Sequence, residues 1–455
     1  MNKNSRNILA AGFATLAIVL SVPASAKVDA AKAEALKSTL TPTGAEKAGN
    51  KDGSIPAWDG GLKAPPAGFA GAGKRYVDPF PGDKPKFTIT KANLAEHKDK
   101  LTAGQQALFA KYDTYKMNVY ETRRTFANPQ FIYDASFKNA TAGALANNGE
   151  TLQGAITGVP FPIPGSGQEV IWNHKLRFQD LSKRRWNNQF AVTTAGDFNL
   201  VKIQEDAKFP YNAPKATLEG LNNVGIYFLQ MTTAPARLAG TILLVHETMD
   251  QIKEARRAWQ YNPGQKRLRR APNVGYDNPG TASDGLRTND QTNSYNGAMD
   301  RYTWKLVGKK DMFVPYNSYV LHSDKYKYAD IMKKGHINQD LPRYELHRVW
   351  VVDSVTKPGT THIYKRRTFY IDEDSWAILV VDIYDRRDQL WRFQEAHTAM
   401  AYDKPFLAPI GETIYDLQSN RYLAQAFNNE DPENIEKAFD DDYFAPGNVS
   451  KQVIK

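Results

Sequence analysis

Three short runs in the second half of the chain are apolar at every position: Ile242-Leu243-Leu244-Val245, Val349-Trp350-Val351-Val352 and Ile378-Leu379-Val380-Val381. Each sits inside a longer segment that alternates with a period of two, the mark of an extended strand whose side chains point to opposite faces. Such segments recur at residues 240–246, 253–261, 344–354, 362–371, 376–385 and 389–396. In 253–261, for example, Ala255, Trp259 and Tyr261 share one face, and Glu254, Arg256 and Gln260 the other. Parallel strands would need helical crossovers, and the sequence offers few. The expected fold is mainly β, with one antiparallel sheet over about residues 169–402. The polar link Asp372-Glu373-Asp374-Ser375 predicts a hairpin within it. Strand centres apolar on both faces need cover on both, by a helix, a second layer or a bound apolar ligand. Of Leu379 and Val381, one is expected to face a cavity and the other an outer layer.

The N-terminus reads as a secretory signal peptide, residues 1–26. Lys3 and Arg6 precede an uncharged apolar run over residues 8–22, and Ala24-Ser25-Ala26 suits signal peptidase, so the mature chain should start at Lys27. The run is shorter than the roughly 20 residues of a membrane helix and is followed at once by Pro23. The chain has no cysteine, which excludes disulfides, thiolate metal sites and acylation as a lipoprotein. These features predict a periplasmic protein, free or peripheral to the outer membrane. The net charge of +10 then points to anionic surfaces such as headgroups rather than to nucleic acid, with a solvated basic surface as the plainer alternative.

Residues 27–150 are expected to form an arm with short helices, packed on a body of residues 151–455. The arm opens with an Ala- and Lys-rich helix at 28–40 and continues through Pro56, Pro65, Pro66, Pro79, Pro81 and Pro85. The spacings Asn93/Glu96 and Thr102/Gln105 are those of capping boxes and predict two short helices across 94–112. The acidic stretch 430–442 reads as a surface helix or solvated tail.

Local catalytic motifs are absent. Pro164-Gly165-Ser166-Gly167 lacks the spacing of a nucleophile elbow, and His246-Glu247-Thr248-Met249-Asp250 lacks the second histidine of a zinc-protease helix. The eight histidines are scattered singly. The reading is of a protein that is not an enzyme and uses no cofactor or metal. Basic clusters stand out instead: Lys183-Arg184-Arg185, Arg256-Arg257, Arg269-Arg270, Arg366-Arg367 and Arg386-Arg387. Neighbouring strand residues face opposite ways, so each cluster sets a cation on either side. Arg256, Arg257, Arg269, Arg270, Arg366 and Arg367 are candidates for a basic rim around a groove.

The run from Leu40-Thr41-Pro42-Thr43-Gly44 to Asp52-Gly53-Ser54-Ile55-Pro56-Ala57-Trp58 resembles the N-terminal signature of an uncharacterised family exported by Gram-negative bacteria. Pro160-Phe161-Pro162-Ile163-Pro164 with Trp172-Asn173-His174, Pro235-Ala236-Arg237-Leu238-Ala239-Gly240, and Arg257-Ala258-Trp259-Gln260-Tyr261-Asn262-Pro263-Gly264 resemble the same family. Its members, a domain of unknown function, are grouped with outer-membrane lipoprotein-sorting proteins. The resemblance implies a half-open antiparallel β-barrel over an apolar cavity, an exporter of the resistance-nodulation-division superfamily as partner, and a second outer-membrane protein. Trp172, His174, Trp259, Tyr261, Leu379 and Val381 are the candidate ligand-binding residues, although Trp172, Asn173 and His174 would equally fix a turn. The expected function is a periplasmic carrier for a hydrophobic, anionic amphiphile. A lipid- or glycan-directed hydrolase and a structural protein at the outer membrane are the alternatives.

Overall fold

The alternating runs, rich in Val, Ile, Tyr and Thr, fold as strands of one twisted sheet in a computed structural model that describes residues 28–271, 275–449 and 451. The expected signal peptide and cleavage point lie outside the described residues. In the arm, β1 (Phe87–Ile89) pairs with β2 (Met117–Val119), and across the expected boundary at 150 β3 (Ala144–Ala146) forms a separate hairpin with β4 (Thr151–Gln153). A first set of sheet strands comprises β5 (Ser182–Trp186), β6 (Asn188–Val192), β7 (Phe198–Lys208), β8 (Val224–Ala234), β9 (Ile242–Thr248), β10 (Arg257–Asn262) and β11 (Arg267–Arg270). A second comprises β12 (Tyr302–Pro315), β13 (Tyr344–Thr356), β14 (Arg366–Asp372), β15 (Ile378–Tyr384), β16 (Leu390–Ala401), β17 (Phe406–Asp416) and β18 (Arg421–Phe427). Strands pair antiparallel with their sequence neighbours in both sets, except that β5 and β6 lie end to end along β7. β18 pairs with β6 and joins the sets. Among the described residues β11 and β12 are each paired on one side, so the sheet is open and does not close into a barrel.

Few helices accompany it: α1 (Ala30–Ala33), α2 (Ala103–Lys111), α3 (Gln130–Ala142), α4 (Gly167–Leu176) and α5 (Tyr328–Ile331). The Thr102/Gln105 capping box forms at α2. The Asn93 side chain instead accepts from the Thr90 amide (2.7 Å), and residues Leu94–Lys100 coil as a 3-10 helix. Residues 167–176, where the strand pattern was expected to begin, form α4. Ser166 caps it by accepting from the Glu169 amide (3.3 Å), and Val170, Ile171 and His174 recur on one buried face at helical spacing. Trp172, Asn173 and His174 therefore sit on a helix and not in a turn.

Two of the two-sided strands, β13 and β15, are covered by protein on both sides. Val349, Val351, Val380 and Phe393 enter one core with residues of α2, while Val352, Phe369, Ile371 and Ile378 enter a second with residues of α4. The register of β14 with β15 passes from Tyr370↔Val380 to Ile371↔Ile378, which leaves Leu379 as a bulge. That bulge sends Leu379 into the first core and Val381 into the second, though an unbroken strand would put both on one face.

The β14–β15 link is buried rather than solvated. Residues 40–58 of the arm wrap it: Thr43 donates to the Asp374 carbonyl (3.1 Å), and Trp376 Nε1 donates to the Thr43 carbonyl (2.9 Å). Gly44, at φ +100°, passes so close to Pro162 that a Cβ would lie 1.7 Å from its carbonyl oxygen. Two of the sequence stretches that carry the family resemblance thus meet at one contact. The acidic C-terminal stretch is not a surface helix, and only part of it is solvated: Glu436 and Asp440 are exposed, while Asp431 and Glu433 are tied to the body. Asp431 pairs with Lys202 (2.9 Å), Glu433 pairs with His322 (2.8 Å) and Arg75 (3.2 Å), and β19 (Ile435–Glu436) pairs with β5. Phe439, Phe444 and Val449 then cover the outward face of β8 and β9 against Leu229, Ile242 and Leu244.

Candidate functional site

The inward face of β5, β7, β8 and β9, unlike those of β13 and β15, is left partly open among the described residues. Alternation sorts its residues: Ile242 and Leu244 point to the C-terminal segment, while Leu243, Val245 and Glu247 point inward. The register aligns Lys183, Ala207, Phe228 and Val245 in one row across the four strands, and Arg185, Glu205, Gln230 and Leu243 in the next. The end of α4, with Lys175, and the loop containing Arg287, Asn293 and Tyr295 roof these rows. Between them lies a cavity of about 140 Å³, partly open to solvent. One side is apolar, formed by Phe209, Ile226, Phe228, Leu243 and Val245.

The rest of the lining is polar, and its charged residues are five cations (Lys175, Lys183, Arg185, Arg256, Arg287) against three carboxylates (Glu205, Glu247, Glu412). Two cations are matched: Arg185 Nε sits 2.6 Å from Glu205, and Arg256 Nη2 sits 2.7 Å from Glu247. The others have backbone partners. Lys175 Nζ donates to the Gly297 carbonyl (3.0 Å), Lys183 Nζ to that of Gln179 (3.3 Å), and the Arg287 fork to those of Thr288 (3.4 Å) and Thr281 (3.3 Å). Arg287 Nε and Arg256 Nε are buried donors without a partner. Burial pushes the Lys183 ammonium down to about 7, with repulsion from Arg185 adding to it, and burial likewise lowers Lys175 and Arg287. Glu412 accepts from the Gln394 and Gln425 amides (3.1 and 2.9 Å), and burial raises its carboxyl.

Of the residues singled out from sequence, Arg256 lines this cavity. Trp172 and His174 lie in the adjacent core. Trp172 Nε1 donates to the Gly149 carbonyl (2.8 Å); His174 Nδ1 accepts from the Ile378 amide (3.0 Å), which leaves Nε2–H to donate to the Asn293 carbonyl (2.9 Å). Trp259 and Tyr261 pack on the outward side, Trp259 with its ring 4.8 Å from that of His246. Leu379 and Val381 fill the two cores. Arg257 pairs with Glu254 (3.4 Å), Arg269 and Arg270 are exposed on the edge strand β11, and Arg366 pairs with Asp388 (2.8 Å). Arg367 is buried on Asp290 (2.7 Å) between aromatic rings. These five arginines form no common rim because strand geometry sends them to different faces and edges. Lys183 and Arg185 were visible in the sequence as a basic cluster, and period-two alternation is the signal that puts both on the cavity side.

A second polar cluster joins residues far apart in sequence. Ligand-type atoms of His347, Asp372 and Asp374 lie within 4.8 Å of one another. Arg124 grips both oxygens of Asp374 (2.7 and 3.0 Å), Ser375 donates to Asp372 (2.5 Å), and His347 bonds to Glu345 (3.0 Å). With its carboxylates engaged in this way, the cluster ties the arm to the β14–β15 link.

Residues 88–450 match the family described as "Protein of unknown function (DUF1329)". The uncharacterized protein PA3922 of Pseudomonas aeruginosa is 50% identical over 444 residues, 97% of this chain and 96% of that one. Two solved structures, a putative outer membrane lipoprotein-sorting protein domain from Vibrio parahaemolyticus and a DUF1329 family protein from Desulfovibrio piger, are each 13% identical with a TM-score of 0.43. Each comparison covers 62% of this chain and 97% of the other. The match along most of the chain and the identity to the Pseudomonas protein place it in one family: the chain belongs to the DUF1329 proteins.

Proposed function

We propose that this protein is a periplasmic carrier, without catalytic activity, for a hydrophobic anionic amphiphile. The apolar part of the ligand lies against β8 and β9, and its headgroup lies among Lys175, Lys183 and Arg287. One observation carries the reading: a single cavity is divided into an apolar wall and a wall with more cations than carboxylates. The signal-like N-terminus supports the periplasmic placement. Delivery to an exporter of the resistance-nodulation-division superfamily, beside an outer-membrane partner, is the route that the family resemblance implies.

The size of the cavity limits what it holds. A cavity near 150 Å³ accepts about one benzene ring, so 140 Å³ takes about six carbons of a chain and the rest runs out through the open side. Six methylenes contribute about 5 kcal/mol gross at about 0.8 kcal/mol each, before the entropic cost of association. Charge-assisted hydrogen bonds of about 1.5–3 kcal/mol each bring the sum into the micromolar range.

Titration of the delipidated protein with a fluorescent long-chain fatty acid tests the proposal. Saturable binding at micromolar concentration is expected, weakened at least tenfold by Leu243→Glu, which sets a carboxylate in the apolar wall. No binding at tens of micromolar, or turnover of the bound amphiphile, would overturn it.

A further inference from the structure

Resting on the carrier reading, the charge balance of the cavity narrows the headgroup. Arg185 with Glu205 and Arg256 with Glu247 neutralise each other in direct contact. Three cations remain, Lys175, Lys183 and Arg287, and none has a carboxylate within ion-pairing distance among the described residues. One carboxylate remains, Glu412, and two side-chain amides already engage it. With Lys183 in the charged form that a bound anion favours, the lining carries an excess of two positive charges in a largely buried space, where each unmatched charge is costly. A monoanion leaves one cation unmatched, and a dianion leaves none. Arg287 also offers a buried Nε–H without an acceptor, and a guanidinium suits the tetrahedral oxygens of a phosphoryl group.

We infer that the cavity is built for a dianionic headgroup, a phosphate monoester at the end of an alkyl chain, rather than for a carboxylate, a sulfate or a neutral head. The phosphate supplies three acceptor oxygens and close to two negative charges at neutral pH. The alkyl chain fills the side formed by Phe228, Leu243 and Val245.

Calorimetry of the delipidated full chain at pH 7.5 tests this with four twelve-carbon ligands: dodecyl phosphate, dodecyl sulfate, dodecanoate and dodecyl maltoside. Inorganic phosphate is the fifth ligand. Dodecyl phosphate should bind at least tenfold tighter than the sulfate or the carboxylate. At pH 5, where a phosphate monoester carries one charge, its advantage over the sulfate should shrink to about twofold. Arg287→Gln should reduce the advantage at pH 7.5 several-fold while the sulfate loses less. Equal affinities for phosphate and sulfate at pH 7.5 would overturn the dianion inference and leave the carrier reading intact. Inorganic phosphate binding as tightly as dodecyl phosphate would make the site one for free phosphate and overturn the alkyl part. Failure of all four amphiphiles would remove the carrier reading itself.

Discussion

At the scale of single residues, burial sets the charge states on which the account depends. Lys183 has around it Arg185 on its own strand, Glu205 opposite Arg185 on β7, Arg177 at the end of α4, and Asp180 with its partner Lys404. Its ammonium lies near 7 in the empty protein, and a bound anion favours the charged form. Binding then takes up a proton above pH 7, so affinity falls as pH rises through that value, by at most tenfold per unit. An alkyl sulfonate, whose own charge is constant, should bind several-fold more weakly at pH 8.5 than at 6.5, and Lys183→Arg should flatten the profile. Glu395 provides a stability counterpart. Burial pushes it up to about 8, with Tyr344 donating to it (3.1 Å). Its folded value lies above the unfolded one, so the stability it allows is complete below about pH 4.5 and is lost as pH climbs toward 8. Glu395→Gln should raise stability at pH 8 by on the order of 3 kcal/mol and change little at pH 4.5, as chemical denaturation would show. Neither shift is legible in the sequence, because both arise from neighbours brought in by distant strands.

At the scale of elements, the period-two pattern located β9, β10, β13, β14, β15 and β16 and the hairpin at residues 372–375, since alternation is a local property, but it named none of β5–β8, β11, β12, β17 and β18, the last two beyond the expected end of the sheet at 402. It did not tell which two-sided strand lacks cover. The inner faces of β9 and β15 look alike in sequence, yet α4 and the arm cover β15 while β9 faces a cavity. The cover comes from residues more than 100 positions away. The bulge at Leu379 was equally hidden, because it depends on the pairing register with β14. Leu379→Glu and Val381→Glu should therefore unfold the protein, since each buries a carboxylate in a closed core at a cost of several kcal/mol. Thermal melts would check this, and a folded variant with weakened ligand binding would contradict it. The C-terminal segment is a second cover that sequence reasoning misread as a solvated tail. Phe444, 1% exposed, packs near Tyr227 and lends its carbonyl to His246 Nε2 (2.9 Å). Phe444→Ala should cost about 3 kcal/mol in denaturant unfolding.

At the scale of the whole molecule, the described residues form an open sheet with two large filled cores beside an amphipathic cavity, and the carrier reading assigns function to the cavity alone. The family signatures at residues 40–58 and 160–164 belong to the structural part, where Gly44 meets Pro162 and Arg124 grips Asp374. Their density in the sequence drew attention to Trp172 and His174, which serve packing. The cavity residues are spread over β5, β7, β8, β9, α4 and a roofing loop, so no single motif marks them; the Lys183-Arg184-Arg185 cluster was the visible trace. In the carrier reading the ligand lies against β8 and β9. Photocrosslinking of the intact protein with a diazirine-bearing alkyl phosphate, followed by peptide mapping, tests it directly. Label should concentrate on residues 224–248, around Phe228, Leu243 and Val245, and be displaced by unlabelled dodecyl phosphate. Label concentrated instead on residues 378–384 would contradict it.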